Sequence, residues 1–218
     1  MDEKDSYLPL FFNLTDRPCL VVGGGVVALR KVKDLLQAGA AVTVVSPEVV
    51  LDLRKLADEN RCRWLEREYQ SPEGADYQLV VATTDNPDVN RQVYEDCNAR
   101  AIPVNVVDQP HLCSVIFPAA IRRGMITAAI SSGGKAPFFT RYVKERLETF
   151  LDEVHQLQYP EIIVQFREFV KSRAADKAHE DRLFRRLLAC DSIQWYRWSR
   201  GESPEKMWRQ WLKEEENR

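Results

Sequence analysis

Histidine and cysteine are scarce in this 218-residue chain, and both are scattered. The three histidines, His111, His155 and His179, form no spaced ligand set, so no resident metal site is expected. The five cysteines, Cys19, Cys62, Cys97, Cys113 and Cys190, are odd in number and contain no CxxC. That excludes a disulfide framework and a zinc ribbon, and it favours a reducing, cytoplasmic compartment. Excess charge of one sign is missing as well: 31 basic against 33 acidic residues give a net charge of −2. Such a balance supplies no field to recruit nucleic acid or an anionic membrane. No apolar run approaches the roughly 20 residues that span a bilayer. The opening MDEKDS is acidic and lacks the basic start of a secretory signal. Internal repeats and low-complexity linkers are also lacking.

What is present is an alternation of strand and helix signals over residues 7–112. Cys19–Val22 is an apolar run ending at glycine, and Val26 to Ala38 carries apolar residues at helical spacing with Gly39 as its C-terminal cap. AVTVVS from Ala41 to Ser46 reads as a second strand, 49–60 as a helix, and Arg63–Arg67 as a weak strand. QLVVA at 78–82 is a buried strand. Asp85 or Asn86 caps a helix with Pro87 at its first position, and PVNVV at 103–107 is the next strand. Repeated strand–helix–strand units with short connections predict a parallel sheet covered by helices. Beyond this, Val115–Ile121 and Met125–Ser131 flank RRG and predict an antiparallel hairpin. A helix is predicted from about Pro137 to Val154, and everything after Pro160 reads as helical. The expected organisation is α/β: a Rossmann-type domain over 1–112, a small α+β region over 113–150 and a helical domain over 151–218.

The glycine-rich turn carries the first chemical signal. Gly23, Gly25 and Ala28 fit G-x-G-x-x-G/A directly between a strand and a helix. Gly23 suits the tight turn, Gly25 lets a pyrophosphate approach the backbone, and Ala28 lets helix and strand pack closely. The helix N-terminus then offers N–H groups to phosphates. A plain Gly-rich turn is the bland alternative. The acidic residue that usually follows about 20 residues on is replaced by Ser46, with Glu48 two further along. No arginine lies between Ser46 and Asp52 to meet a 2′-phosphate, so NAD is favoured over NADP. Either Ser46 or Glu48 contacts the ribose, or Ser46 simply ends its strand.

YLPLFFNLTDRPCLVVGGGVVALRK, VTVVSPE, VVATTDNPDVN, NVVDQP and ISSGGKAP occur in that order. Together, over residues 7 to 150, they resemble the precorrin-2 dehydrogenase family, the NAD-dependent module of siroheme synthesis. Some members of that family also insert ferrous iron into sirohydrochlorin. The resemblance implies a homodimer with a Rossmann domain, a central dimerisation region and a helical tail. It implies cofactor contacts at Gly23, Gly24, Gly25, Val26 and Val27, at Ser46, Pro47 and Glu48, and at Thr83 and Thr84 near the nicotinamide end. The threonine pair could equally cap the next helix. The tail matches only in being helical, and these residues show no methyltransferase module, so the methylated substrate is expected from another protein.

Asp108 follows an apolar strand directly, at the carboxyl edge of the expected sheet. A carboxylate there faces the cofactor crevice and, if shielded from water, is a suitable base. The resemblance implies the acid/base group at this place; the alternative is a turn cap. His111 could relay protons or guide ferrous iron, or be a plain loop residue. The substrate carries eight carboxylates, so Ser131, Ser132, Gly133, Gly134 and Lys135 are read as an anion nest, or else as a hinge. Arg122, Arg123, Arg141 and Lys144 are further basic candidates. His155 and His179 are expected on solvated helix faces. The tail segment WYRWSRGESPEKMWRQWL interleaves aromatics with arginine, a pattern seen in single-strand binders. Its 13 basic and 13 acidic residues over 151–218, and the helical spacing of its tryptophans, favour packing instead.

The expected function is NAD-dependent oxidation of precorrin-2 by a cytoplasmic homodimer, with ferrous iron insertion left open. The rivals are an NAD-sensing regulatory module, which needs the glycine turn but not Asp108, another NAD-dependent oxidoreductase, and a tetrapyrrole carrier. No YxxxK pair marks the second of these.

Overall fold

The computed structural model describes residues 7–216. The acidic opening at 1–6 lies outside them. The chain forms two compact units, 1–117 and 118–218.

The first unit is a five-stranded parallel sheet in the order β3-β2-β1-β4-β5. Its strands are β1 (Pro18–Val22), β2 (Ala41–Val45), β3 (Arg63–Leu65), β4 (Leu79–Ala82) and β5 (Val104–Val106). Crossover helices α1 (Val26–Gln37), α2 (Leu51–Asp58) and α3 (Pro87–Asn98) connect them. Side chains alternate across each strand and sort the core into two layers. Cys19, Val21, Val42 and Val44 meet Ala28, Val32 and Leu35 of α1 and Leu53 and Leu56 of α2. Leu20, Val22, Val80 and Ala82 meet Val93 and Cys97 of α3 on the other face. The predicted caps hold. Ala38 ends α1 with Gly39 beyond it at φ +78°, and Asn86 accepts from the N–H groups of Asp88 and Val89 ahead of Pro87.

Lys31 stands on the inner face of α1, only 7% exposed, with Nζ 3.6 Å from the centre of the Phe117 ring. Burial lowers its ammonium from 10.5 to about 8, and Arg30 pushes in the same direction. The folded value lies below the unfolded one. The cost of the buried charge is therefore fully present below about pH 8 and disappears as pH rises toward 10.5. We expect Lys31→Met to raise the melting temperature at about pH 7 and to lose that advantage across this window. Thermal melts against pH check it.

In the second unit β6 (Ala119–Arg123) pairs antiparallel with β7 (Ile126–Ile130), Arg123 opposite Ile126. The predicted hairpin is therefore present, but its first strand starts four residues later than Val115. The reason is that Val115 is engaged along β5, donating its N–H to Val104 O at 3.2 Å. α4 (Pro137–Glu153) packs on both strands without burying any of its own residues. Four helices follow: α5 (Pro160–Lys171), α6 (Lys177–Leu188), α7 (Ser192–Ser199) and α8 (Glu205–Glu216). Their core gathers Phe166, Leu183, Trp195, Trp198, Trp208 and Trp211. Phe166 and Trp208 meet edge to face at 5.0 Å, so the tail tryptophans are packing residues. His179 is a correction to the expectation from sequence. It is 2% exposed, and its Nδ1 accepts from the N–H of Ala175 because α6 turns it into the core. His155 is half-buried, edge-on to Trp195 at 6.4 Å, and is likewise not on a solvated face.

Candidate active site at the carboxyl edge of the sheet

Four neighbouring strands of the first unit end in one row. Val22 stands opposite both Val45 and Ala82, and Ala82 opposite Val106. The next residues, Ser46, Gly23, Thr83 and Val107, therefore lie side by side at roughly the 4.8 Å strand spacing, with Asp108 one step beyond. Three bonds continue the ladder past the strand ends: Gly23 N–H to Val45 O at 2.9 Å, Thr83 N–H to Val22 O at 2.8 Å and Val107 N–H to Ala82 O at 3.0 Å. Strand order reverses between β1 and β4, the place where open parallel sheets hold ligands.

The glycines of the first turn have distinct tasks. Gly23 has φ +118°, and a Cβ there would come within 2.5 Å of Thr83 Oγ1. A Cβ on Gly24 would fall on the carbonyl oxygen of Glu48 and lie 2.8 Å from Ser46 Oγ. At Gly25 a Cβ would meet nothing within 4 Å, so this residue borders open space at the start of α1. The first turn of α1 carries no acidic side chain, and no side chain caps it. Its N–H groups and the positive end of the helix dipole are left for an anion. These features fit the pyrophosphate of a dinucleotide.

Ser46 is buried and donates its hydroxyl to Glu48 O at 2.6 Å, while its carbonyl accepts from Trp64 Nε1 at 2.9 Å. Val50 N–H closes the arrangement on Gly24 O at 2.8 Å. Ser46 thus shapes the loop and leaves Pro47 and Glu48 exposed beside the glycine turn. Thr83 Oγ1 donates to Val22 O at 3.1 Å. Thr84 is tied into the start of α3: Oγ1 lies 2.8 Å from Asn90 Oδ1, and Asn90 Nδ2 donates to Thr84 O at 2.8 Å. Thr84 therefore has a capping task as well as its place at the edge. Asn90, 3% exposed, is not among the candidates the sequence offers. The signal available was a polar amide on the first turns of a helix just after Pro87.

Asp108 has φ +60°, a left-handed conformation that aspartate tolerates better than most residues, and its side chain is exposed. The first unit does not itself supply the shielding expected from sequence. His111 lies in the short 3₁₀ turn Pro110–Leu112 and is exposed too. The structure thus brings together the glycine turn with Val26 and Val27, the Ser46–Glu48 loop, Thr83, Thr84 and Asp108 on one edge, with His111 in the turn that follows Asp108.

The segment Ser131–Lys135 belongs to the second unit. Gly133 and Gly134 are consecutive left-handed residues, at φ +62° and +79°. Ser131 Oγ accepts from Gly133 N–H, and Ser132 Oγ accepts from Ala136 N–H and bonds Thr140 Oγ1, each at 3.0 Å. Both hydroxyls thus shape the turn into α4. Arg123 is held by Asp152 at 2.6 Å, which raises the guanidinium and lowers the carboxyl. Lys144 lies 3.9 Å from Glu148.

Residues 10–119 match a family of putative NAD(P)-binding proteins, which covers half of the chain and the whole carboxyl-edge site. The chain belongs to this NAD(P)-binding family. A siroheme synthase of Pseudomonas aeruginosa is 44% identical over 170 residues, 78% of this chain and 36% of that protein. One of Methylobacillus flagellatus is 46% identical over 166 residues, 76% of this chain and 35% of its own. The chain thus spans about a third of the length of these siroheme synthases. The solved structure of SirC, a precorrin-2 dehydrogenase, superposes with a TM-score of 0.72 at 25% identity, covering 97% of this chain and all of that one. These relatives bear out the resemblance to the precorrin-2 dehydrogenase family and the Rossmann-type fold read from sequence. An NAD cofactor agrees with both the NAD(P)-binding family and the solved neighbour. Among the described residues no helix is long and apolar enough to cross a membrane.

Proposed function

We propose that this chain is an NAD-dependent precorrin-2 dehydrogenase that forms sirohydrochlorin. The observation that carries the reading is the row at the sheet edge, which sets the dinucleotide turn and a carboxylate two strands apart. NAD, when bound, supplies the hydride acceptor. The α1 N-terminus and Gly25 hold the pyrophosphate, and Glu48 takes the ribose hydroxyls. Oxidation removes a hydride and a proton from the substrate, and Asp108 accepts the proton at a carboxylate oxygen. Bound tetrapyrrole itself excludes water from this exposed carboxylate. His111 contacts the substrate, and Ser131, Ser132, Gly133, Gly134 and Lys135 take its carboxylate arms. Iron insertion needs the pyrrole N–H protons removed, a task the same carboxylate is chemically able to take, with ferrous iron as substrate.

The region within 113–150 serves as the dimer contact of a homodimer, and the helical remainder supports it. On α4, Phe138, Phe139, Tyr142 and Phe150 are all more than half exposed, an apolar surface suited to a second copy. Five free cysteines suit the reducing cytoplasm.

Anaerobic turnover of precorrin-2 with NAD, followed as NADH and sirohydrochlorin absorbance, tests the reading, with ferrous iron added in a second stage. NAD binding without oxidation would sink it in favour of an NAD-sensing module. Cofactor choice gives a separate test. Glu48 is exposed beside the turn, and its charge repels a 2′-phosphate. Glu48→Arg should shift the ratio of NAD to NADP dissociation constants toward NADP by about tenfold or more, read by fluorescence titration.

A further inference from the structure

β5 is an edge strand, and the returning segment 113–115 closes its outward groups instead of a sixth strand, with the N–H groups of Ser114 and Val115 donating to Val104 O at 2.9 and 3.2 Å. Ser114 Oγ accepts from Val104 N–H at 2.9 Å, and Asn105 Nδ2 donates to Val115 O at 3.0 Å. Cys113 does the same for Val106. The Val106 N–H points at its sulfur at 3.3 Å, and the S–H faces two carbonyls, Val106 O at 3.2 Å and Gln109 O at 3.4 Å. Asn105 Nδ2 reaches the same sulfur at 3.6 Å. Residues 106–113 therefore form a loop whose two ends meet on one sulfur atom. Within it Gln109 N–H bonds Val106 O at 3.3 Å and Leu112 N–H bonds Gln109 O at 2.9 Å.

Asp108 stands in this loop in the left-handed conformation. Among the described residues, no side chain is bonded to its carboxylate. Its position is set by the backbone of the loop, whose returning end is held to Val104 by Ser114 and Val115 and to Val106, close to Asp108 in the chain, by Cys113. We propose that Cys113 is a positioning residue for Asp108: its thiol ties the loop that presents the carboxylate to the substrate. The inference rests on the dehydrogenase reading. Burial raises the thiol above its ordinary value, against the pull of the Val106 backbone and Lys31, so it remains a neutral S–H donor. Contacts of 3.2–3.6 Å suit sulfur. A serine hydroxyl prefers partners at about 2.7–3.0 Å and satisfies only part of this set.

The test compares wild type, Cys113→Ser, Cys113→Val and, as a control for lost packing, Cys97→Ala on α3. In Cys113→Val, kcat for precorrin-2 should fall about 10–100-fold. The NAD dissociation constant should stay within about twofold, and the pH profile of kcat should be displaced. Amide exchange at Gln109 and Leu112 should accelerate, with Cys113→Ser between the two. Cys97→Ala should lower the melting temperature but leave the pH profile in place. Wild-type kcat and pH profile in Cys113→Val, or unchanged exchange at Gln109 and Leu112, would overturn the inference. Should Cys113→Val fail to fold, Cys113→Ser decides by the same readouts. A wild type that does not oxidise precorrin-2 sinks the dehydrogenase reading instead, and the exchange data then still decide whether Cys113 holds the loop.

Discussion

Asp108→Asn should lower kcat for precorrin-2 oxidation by about 10²–10⁴-fold, the usual contribution of a positioned general base, while NAD binds as before. Asparagine is the right substitution because Asp108 lies at φ +60°. Asn tolerates that region at least as well as Asp, whereas alanine there adds backbone strain to the lost carboxylate. The amide has a similar shape and retains hydrogen bonding but cannot take the proton. Anaerobic stopped-flow recording of NADH formation gives kcat, and a fluorescence titration gives the NAD dissociation constant. An Asp108→Asn enzyme with wild-type kcat would remove the carboxylate from the chemistry and leave this edge as a cofactor site only. A variant that lost NAD affinity to the same degree would point to a structural task for the loop.

The second large effect separates two adjacent glycines. Gly24→Ala places a methyl group on the carbonyl of Glu48, and backbone oxygen is poorly able to move aside. Val50 N–H also binds Gly24 O at 2.8 Å, so a shift of either loop strains the other. We expect a loss of about 1–3 kcal/mol of stability, as overpacking usually costs, together with a large loss of NAD affinity. Gly25→Ala puts its methyl group into open space at the start of α1. That variant should melt like wild type and yet bind NAD at least about tenfold more weakly, a change of ~1.4 kcal/mol. Thermal melts paired with NAD titrations separate the two. Undiminished NAD binding by Gly25→Ala would mean that the pyrophosphate does not approach the backbone at this turn.

Much of the site was legible because its signals are local. The strand Cys19–Val22, the three glycines and the apolar spacing of Val32 and Leu35 predict a strand, a turn and a helix from neighbouring residues alone. Asn86 and Pro87 announce the start of α3 in the same way. Less legible were residues whose role depends on distant partners. Ser46 sits just past the end of β2, and no local pattern shows that its hydroxyl folds the loop onto Glu48 O. The strand expected from Val115 begins at Ala119 because residues 113–115 are engaged along β5, a contact no periodicity reveals. His179 is expected on a solvated face, yet it faces the core of the helical unit.

The sequence by itself determined the order of elements, the parallel sheet, the dinucleotide turn and the family to which the chain belongs. These follow from patterns spanning a few residues, or from several such patterns in a set order. Only the tertiary structure decided that Ser46, Gly23, Thr83 and Asp108 share one edge, since strand register across β2, β1, β4 and β5 aligns their ends. It also decided that Gly24 and Gly25, adjacent in the chain, face a wall and an opening respectively. The sulfur of Cys113 closes the loop of Asp108 for the same reason: hydrogen bonds join groups by their position in space, and a chain bent back on itself does not record that position in its spacing.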